Sequence, residues 1–417
     1  MALNHRSFPC PGARVGAALL AVGAVLAATP AAAATARLAA LGGNADYVAD
    51  ERAVLRWYAA GVDHHGLAVF ELGRFDTGGG GQPWSSRIAA QSGGVHARLG
   101  RHGRFGTAAA WFHTDAVQAA PSGIHAAYPG GSFSLAWART WGAWDLGLGF
   151  RGTTSGRYEF DEASPVVGRE DYRHDWGLGA RRSLGDRLAL EVAGEIRNVM
   201  FGLRDDDRQI RAEDSGSRSY GLRARLRWAV SPEVTLMPLV DYTRDIHLVY
   251  APALGDVATQ DAWQLRAGAG CTVARPGGDR LVFSAEYRHA REDQDGLGSL
   301  YRDYDRLRRR WWAIHVRAGA ESAVLPWLTV RASLQYRRVD DERSLTWLDP
   351  VNPPRYGHDL HLGVDTPLGL GLTVAAGRFR LDAAYNDQAP LSLATVPDAD
   401  APREAANFAT VSLRYLY

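Results

Sequence analysis

The stretch Ala409-Thr410-Val411-Ser412-Leu413-Arg414-Tyr415-Leu416-Tyr417 decides the fold. Ala409, Val411, Leu413, Tyr415 and Tyr417 share one parity, while Thr410, Ser412 and Arg414 share the other. Successive side chains of a strand point to opposite faces, so this alternation predicts a strand with one apolar face and one mostly polar face. A helix would repeat its apolar residues every 3.6 positions, and this stretch does not.

The same two-beat pattern recurs towards the N-terminus. Tyr220, Leu222, Ala224, Leu226 and Trp228 alternate with Arg223, Arg225 and Arg227. Leu188, Leu190, Val192 and Ile196 alternate with Arg187, Glu191 and Glu195. Tyr172, His174, Trp176, Leu178 and Ala180 oppose Arg173, Asp175, Gly177, Gly179 and Arg181. Trp144, Leu146, Leu148 and Phe150 oppose Asp145, Gly147, Gly149 and Arg151. Similar runs cover 67–75, 95–99, 105–113, 133–137, 263–273, 281–287, 312–320, 328–336, 360–364 and 379–385.

Connections between these runs are of two kinds, and the kinds alternate. Short ones fall at 101–104, 141–143, 183–186, 231–233, 275–279, 325–327 and 376–377. Long ones, rich in Asp, Arg, Pro and Gly, fall at 154–171, 204–217, 246–261, 291–308, 340–355 and 386–403. A barrel in an outer membrane has short periplasmic turns and long external loops. Two places resist the pattern. Pro238 lies inside a strand-like run and predicts a bulge or strand end. Thr366-Pro367-Leu368-Gly369 interrupts the next-to-last hairpin.

The first residues read as an export signal: Arg6 and Arg14, an apolar run from Val15 to Ala28, then Pro30-Ala31-Ala32-Ala33-Ala34. Cleavage after Ala33 or Ala34 would remove Cys10 and leave Cys271 as the sole cysteine, so no internal disulfide is possible. It would also remove two arginines, taking the formal charge from +1 to −1, with no basic surface for nucleic acid. No later apolar run approaches the ~20 residues a membrane helix needs. Aromatic residues make up 10% of the chain, and β-barrel strands leave bulk hydropathy unremarkable.

The predicted fold is therefore all-β: a closed antiparallel transmembrane β-barrel of about sixteen strands (roughly 14 to 18). Its domains are a signal peptide at 1–34, a periplasmic or luminal N-terminal segment at 35–66, and the barrel at 67–417. In lipid the apolar parity faces acyl chains and the polar parity faces the lumen. The expected lumen-lining residues are Arg173, Asp175, Arg187, Glu191, Glu195, Arg223, Arg225, Arg227, Arg266, Glu286, Arg288, His315, Arg317, Arg331 and Arg337. These charges are either a self-neutralised network that braces the lumen or an arginine-rich wall selecting anions. Outward aromatics (Trp144, Tyr172, Tyr220, Trp228, Trp263, Tyr287, Trp312, Tyr336) predict interfacial girdles.

Ending on an aromatic residue, Ala409 to Tyr417 resembles the C-terminal strand of bacterial outer-membrane barrels, which the barrel assembly machinery reads. The stretch from Ala36 to Gly61, with Gly42-Gly43, Asp50, Trp57 and Tyr58-Ala59-Ala60-Gly61, resembles the N-terminus of the FadL-like outer-membrane transport proteins. That family's Asn–Pro pair is missing here, and its barrels have fourteen strands. The resemblance implies a segment folded into the barrel as a plug, and a hydrophobic solute. From the residues alone, a periplasmic lead-in with a short helix around Asp50 to Ala60 accounts for the same stretch.

There is no Gly-x-Ser-x-Gly, no His-Glu-x-x-His, no phosphate-binding loop ahead of a helix and no paired-cysteine metal motif, so neither enzyme, cofactor nor metal centre is expected. His64-His65, Asp205-Asp206-Asp207 and Asp340-Asp341-Glu342 are the sites a cation could visit, and Ser284 with His315 the nucleophile–base pair to check. The expected function is passive passage of a small, hydrophobic solute. The alternative is a non-transport barrel serving secretion or surface attachment through loops such as 301–308. Expected partners are the lipid bilayer, lipopolysaccharide, the assembly machinery and a small-molecule solute.

Overall fold

The computed structural model describes Arg37, Ala40, Leu41, 46–48, 51–75, 88–100, 103–115, 130–158, 166–205, 210–214, 216–251, 256–275, 277–295, 306–347, 355–365, 367–387 and 408–417. The expected signal peptide, Gly42, Gly43 and Asp50 lie outside these residues. Two short 3-10 turns, Glu51–Leu55 and Tyr58–Asp63, precede the sheet. The first nine strands are β1 (Leu67–Phe75), β2 (Ile88–Arg98), β3 (Thr107–Asp115), β4 (Gly130–Trp141), β5 (Trp144–Tyr158), β6 (Val166–Ser183), β7 (Leu188–Asp205), β8 (Ile210–Asp214) and β9 (Arg218–Ala229). The others are β10 (Val234–Ala251), β11 (Asp256–Ala274), β12 (Arg280–Asp295), β13 (Arg306–Leu325), β14 (Leu328–Trp347), β15 (Arg355–Asp365), β16 (Leu368–Ala376), β17 (Phe379–Asp387) and β18 (Phe408–Leu416).

All eighteen belong to one antiparallel sheet that closes on itself, because β1 pairs with both β2 and β18. Eighteen segments fill sixteen wall positions. β8 and β9 share one, since both pair with β7 and β10. β15 and β16 share another, pairing with the two halves of β14. The break falls at the predicted interruption, where the Gln335 amide donates to the Pro367 carbonyl at 3.0 Å. Closure through β1 joins the two ends of the sheet and pairs most of the wall's backbone amides internally, which hydrocarbon demands, while β15 pairs only with β14 among the described residues.

Two expectations about strands need correction. Pro238 makes neither a bulge nor an end: β10 runs through it in unbroken register with β11. Pairing with β9 lapses only at Met237 and Pro238 and resumes in the same register at Leu239, so the strand forgoes a ladder bond without bending out of line. The long connections, except the last, are also shorter than predicted. β13 and β14 are 20 residues each, against the ~9–11 that span a bilayer, so these hairpins continue as sheet well past the membrane. Beyond lipid both faces meet water, and the two-sided hydrophobic contrast that marks a strand disappears.

Which face meets what is inverted relative to a soluble protein. Leu178 is 65% exposed and Trp176 60%, whereas Glu191 is fully buried and Arg223 only 4% exposed. The outward face is apolar along strand after strand: Leu146 and Leu148, Leu281 and Phe283, Ile314 and Val316, Leu370 and Leu372 are all exposed. No helix among the described residues is long and apolar enough to cross a membrane. An apolar outer wall on a closed cylinder is the architecture of an outer-membrane barrel. In the terminal strand Leu413 is 43% exposed and Ser412 is buried, in keeping with the parity read from sequence. Tyr415 packs against Phe379 and Tyr417, and the Tyr417 hydroxyl donates to the His96 carbonyl at 2.8 Å.

Candidate functional site: the lumen

The inward parity of the wall is charged, and its charges neutralise one another. Arg225 holds Glu191 at 2.6 Å, directly opposite it across β7 and β9. Arg223 holds Glu195 at 2.8 Å. Glu286 receives Arg288 at 3.0 Å, Arg317 at 3.2 Å and Arg266 at 3.3 Å. Arg331 bridges Glu321 at 2.6 Å and Asp382 at 3.1 Å, and Arg414 joins Asp382 at 2.6 Å. Arg173 chelates Asp175 at 2.8 Å. The arrangement is the self-neutralised network, with no file of unpaired arginine along the described wall.

Arg227, His315 and Arg337 also keep the inward parity, His315 opposite Glu286 and Arg337 beside it on β14. Arg187 is the exception: it sits exposed in the turn ahead of β7, because that strand starts one residue later than the alternation suggested. Ser284 stands opposite Arg317, not opposite His315, so the two do not form a nucleophile–base pair. Asp341 is buried between Arg309 at 2.8 Å and Arg343 at 2.7 Å, an ion-paired strand residue and not a loop cation site. Among the described residues no cluster of three or more metal-ligating side chains occurs.

The N-terminal segment passes through this network. Arg37 pairs with Glu321 on β13 at 3.0 Å. Asp46 accepts from Arg266 on β11 at 2.7 Å, from Arg56 at 2.9 Å and from the Trp57 indole at 2.9 Å. Arg56 reaches Asp241 on β10. The Asp46 and Arg56 carbonyls accept from Arg225 at 2.7 Å and Arg223 at 3.1 Å, both on β9. Trp57 is fully buried, with the Arg225 guanidinium 4.2 Å above its ring. Asp63 takes a 2.8 Å bond from Arg181 on β6. A segment bonded to β6, β9, β10, β11 and β13 touches opposite walls of one ring, and only the interior offers that.

Glycines on the inward parity make room for it. Gly147 and Gly149 on β5 lie opposite Gly179 and Gly177 on β6, forming a four-glycine floor. A Cβ at Gly149 would sit 2.1 Å from Tyr58 Cε1, and one at Gly177 would sit 2.0 Å from Tyr58 Cζ. Across the ring, a Cβ at Gly270 would sit 2.2 Å from Tyr47 Cδ1. In the sequence these glycines stand only as the polar side of an alternation. Their signal was present: a strand interior loses stability with glycine unless something approaches closely. Beside Tyr58 the space left is a cavity of about 30 Å³, lined by Ser134, Arg151, Asp175 and Arg197 among others, room for a single water. On the outer wall Val95, Leu135, Leu148, Trp176, Leu178 and Ile196 line an apolar concavity of about 940 Å³.

Burial pushes the Asp46 carboxyl up, but the guanidiniums of Arg56 and Arg266 and the Trp57 indole outweigh it and hold it well below the usual carboxylate range. Burial, and then the Glu195 carboxylate, push the Tyr58 hydroxyl up to about 12. A group whose folded value is raised stabilises below its unfolded value of about 10 and loses that contribution as pH climbs through the folded one. Docking of Tyr58 is therefore expected to be complete below pH ~10 and lost between about 10 and 12. The depressed Asp46 works at the other end: docking persists as pH falls past ~4 and weakens only below it. Alkaline absorbance titration of the wild type against Tyr58→Phe checks the first arm; identical late-titrating phenolate in both would refute it.

No protein-family model matches the chain, and no curated protein matches it in sequence. Among solved structures, CdiB from Acinetobacter baumannii aligns at 13% identity and TM-score 0.47, over 85% of this chain and 60% of that one. The Pseudomonas putida toluene transporter TodX aligns at 12% identity and TM-score 0.42, over 92% and 98%. The Ralstonia pickettii toluene transporter TbuX aligns at 12% identity and TM-score 0.41, over 92% and 97%. The chain thus spans less than two thirds of CdiB's length.

Proposed function

We propose that this barrel carries small solutes passively across the outer membrane and that the N-terminal segment governs the passage. The observation that supports it is the seat of the segment: ion pairs from several strands converge on Asp46, Arg56 and Asp63, over a glycine floor shaped to Tyr58. Apolar contacts of Leu41, Tyr47, Val48 and Val54 accompany these ion pairs, and because water can replace the partners of a broken ion pair, the seat suits a removable obstruction. The solute we favour is neutral or hydrophobic. Mutual neutralisation of the wall leaves no surplus field of one sign to select an ion.

Single-channel recording in planar bilayers tests the reading. The intact chain is expected to show rare, small steps, and a chain lacking 37–63 long, large ones, with liposome uptake of a neutral aromatic probe rising in parallel. Closed traces from both forms, with the barrel folded, would favour a sealed scaffold instead.

A further inference from the structure

The outward face of β13 changes character abruptly. Val324, Val316, Ile314 and Trp312 are followed at the same parity by Arg310, Arg308 and Arg306. From Val324 to Trp312 the strand rises roughly 40 Å, which a tilt of about 40° reduces to roughly 30 Å, the depth of a hydrocarbon core. On β12 the same border falls between His289, stacked on Trp263 at 5.2 Å, and Arg291. The arginines therefore begin where lipid tails end, on the rim of the long hairpins.

Their pairing is uneven. Arg244 holds Asp261 at 2.7 Å, and Arg306 is bound to Asp295, one carboxylate to each cation. Arg291, by contrast, lies directly opposite Arg310, and like charges in that relation repel. Arg291 binds Asp293 at 2.8 Å, Arg308 reaches the same carboxylate only at 3.8 Å, and Arg310 makes no ion pair with another described residue. Glu342, opposite Arg310 on β14, is engaged by His358 at 3.0 Å. Two guanidiniums thus share the Asp293 carboxylate and the third has no ion pair among the described residues, with Arg291 47% and Arg308 65% exposed.

We propose that this outward patch, Arg291, Arg308 and Arg310, holds a phosphate group of a glycolipid in the outer leaflet, the phosphorylated headgroup of lipopolysaccharide. Guanidinium forks match phosphate oxygens two at a time, and a phosphate between Arg291 and Arg310 turns their repulsion into attraction. Trp312, one outward position below Arg310, and Trp263, opposite Arg291 on β11, sit at the depth of the sugar–acyl boundary, where aromatic rings prefer to lie. The proposal rests on the barrel's orientation and not on any transport role.

The test uses purified full-length barrel in nanodiscs and native mass spectrometry, with bisphosphorylated lipid A and chemically dephosphorylated lipid A as probes. Wild type is expected to retain the phosphorylated lipid about tenfold more strongly. Arg291→Gln/Arg308→Gln/Arg310→Gln should lose that preference while keeping the heat-modifiable gel shift of a folded barrel. Arg244→Gln/Arg306→Gln, whose cations are already neutralised, should keep it. Equal retention of both lipids by wild type overturns the proposal, as does an undiminished preference in the triple variant. Displacement of lipid A by equimolar inorganic phosphate would reassign the patch to free anions and equally overturn it.

Discussion

Asp46→Ala is expected to open the barrel. The carboxylate is the meeting point of Arg266 at 2.7 Å, Arg56 at 2.9 Å and the Trp57 indole at 2.9 Å. Removing it leaves Arg266 buried with Asp241 at 3.2 Å and Glu286 at 3.3 Å, the latter already shared with Arg288 and Arg317. Deleting one partner of a buried pair costs about 3–5 kcal/mol, far more than an exposed pair is worth. Leu41, Tyr47, Val48, Val54 and Trp57 also bury apolar surface, but the segment lacks the continuous backbone ladders of the wall, so the loss falls on the segment before the wall. The wall itself is secured by its ladders, because the substitution changes no strand residue and no backbone pairing. The variant should show long openings in planar bilayers and cleavage at Arg56 by an arginine-specific protease, both scarce in wild type. Asp46→Glu should fall between them. A variant as closed and as protected as wild type would show that the segment is held by packing, not by this hub.

The second large effect is steric. Tyr58 lies against Gly149 and Gly177, where a single added carbon would come within 2.1 and 2.0 Å of its ring. Contacts so short cannot be absorbed by small shifts, and overfilling a well-packed site costs roughly 1–3 kcal/mol. Gly177→Ala is expected to expel the ring and expose the Tyr58–Asp63 turn to protease at a rate several times that of wild type. The diagnostic is the cycle with Tyr58→Ala. In that background Gly177→Ala should have almost no further effect, giving a coupling near the full cost of the single substitution. Additive behaviour would mean that the glycine serves the strand and not its tenant.

Much of this is legible in the sequence. The alternation around Glu191, Glu195, Arg223, Arg225 and Arg227 named a charged inner face, and the wall places all five there. Turn spacing gave the sixteen positions, even though two of them are built from broken strands. What misled was the sequence beyond the membrane. There Arg291, Asp293, Arg308 and Asp341 read as loop, because with water on both sides of a hairpin no hydrophobic contrast marks the strand. Arg187 was misplaced for a related reason: a turn residue next to a strand obeys the same parity by accident.

By itself the sequence determined the two faces of most membrane-depth strands, and with them the barrel, because side-chain alternation is a local property of the backbone; β16, behind Pro367, was not among them. Only the tertiary structure decided which charge meets which, that Asp46 and Arg56 join the wall's network, and that Gly149 and Gly177 frame a tyrosine from a hundred residues away. Those choices depend on strand register and on the path of a segment through the ring. Neither leaves a periodic trace in the chain.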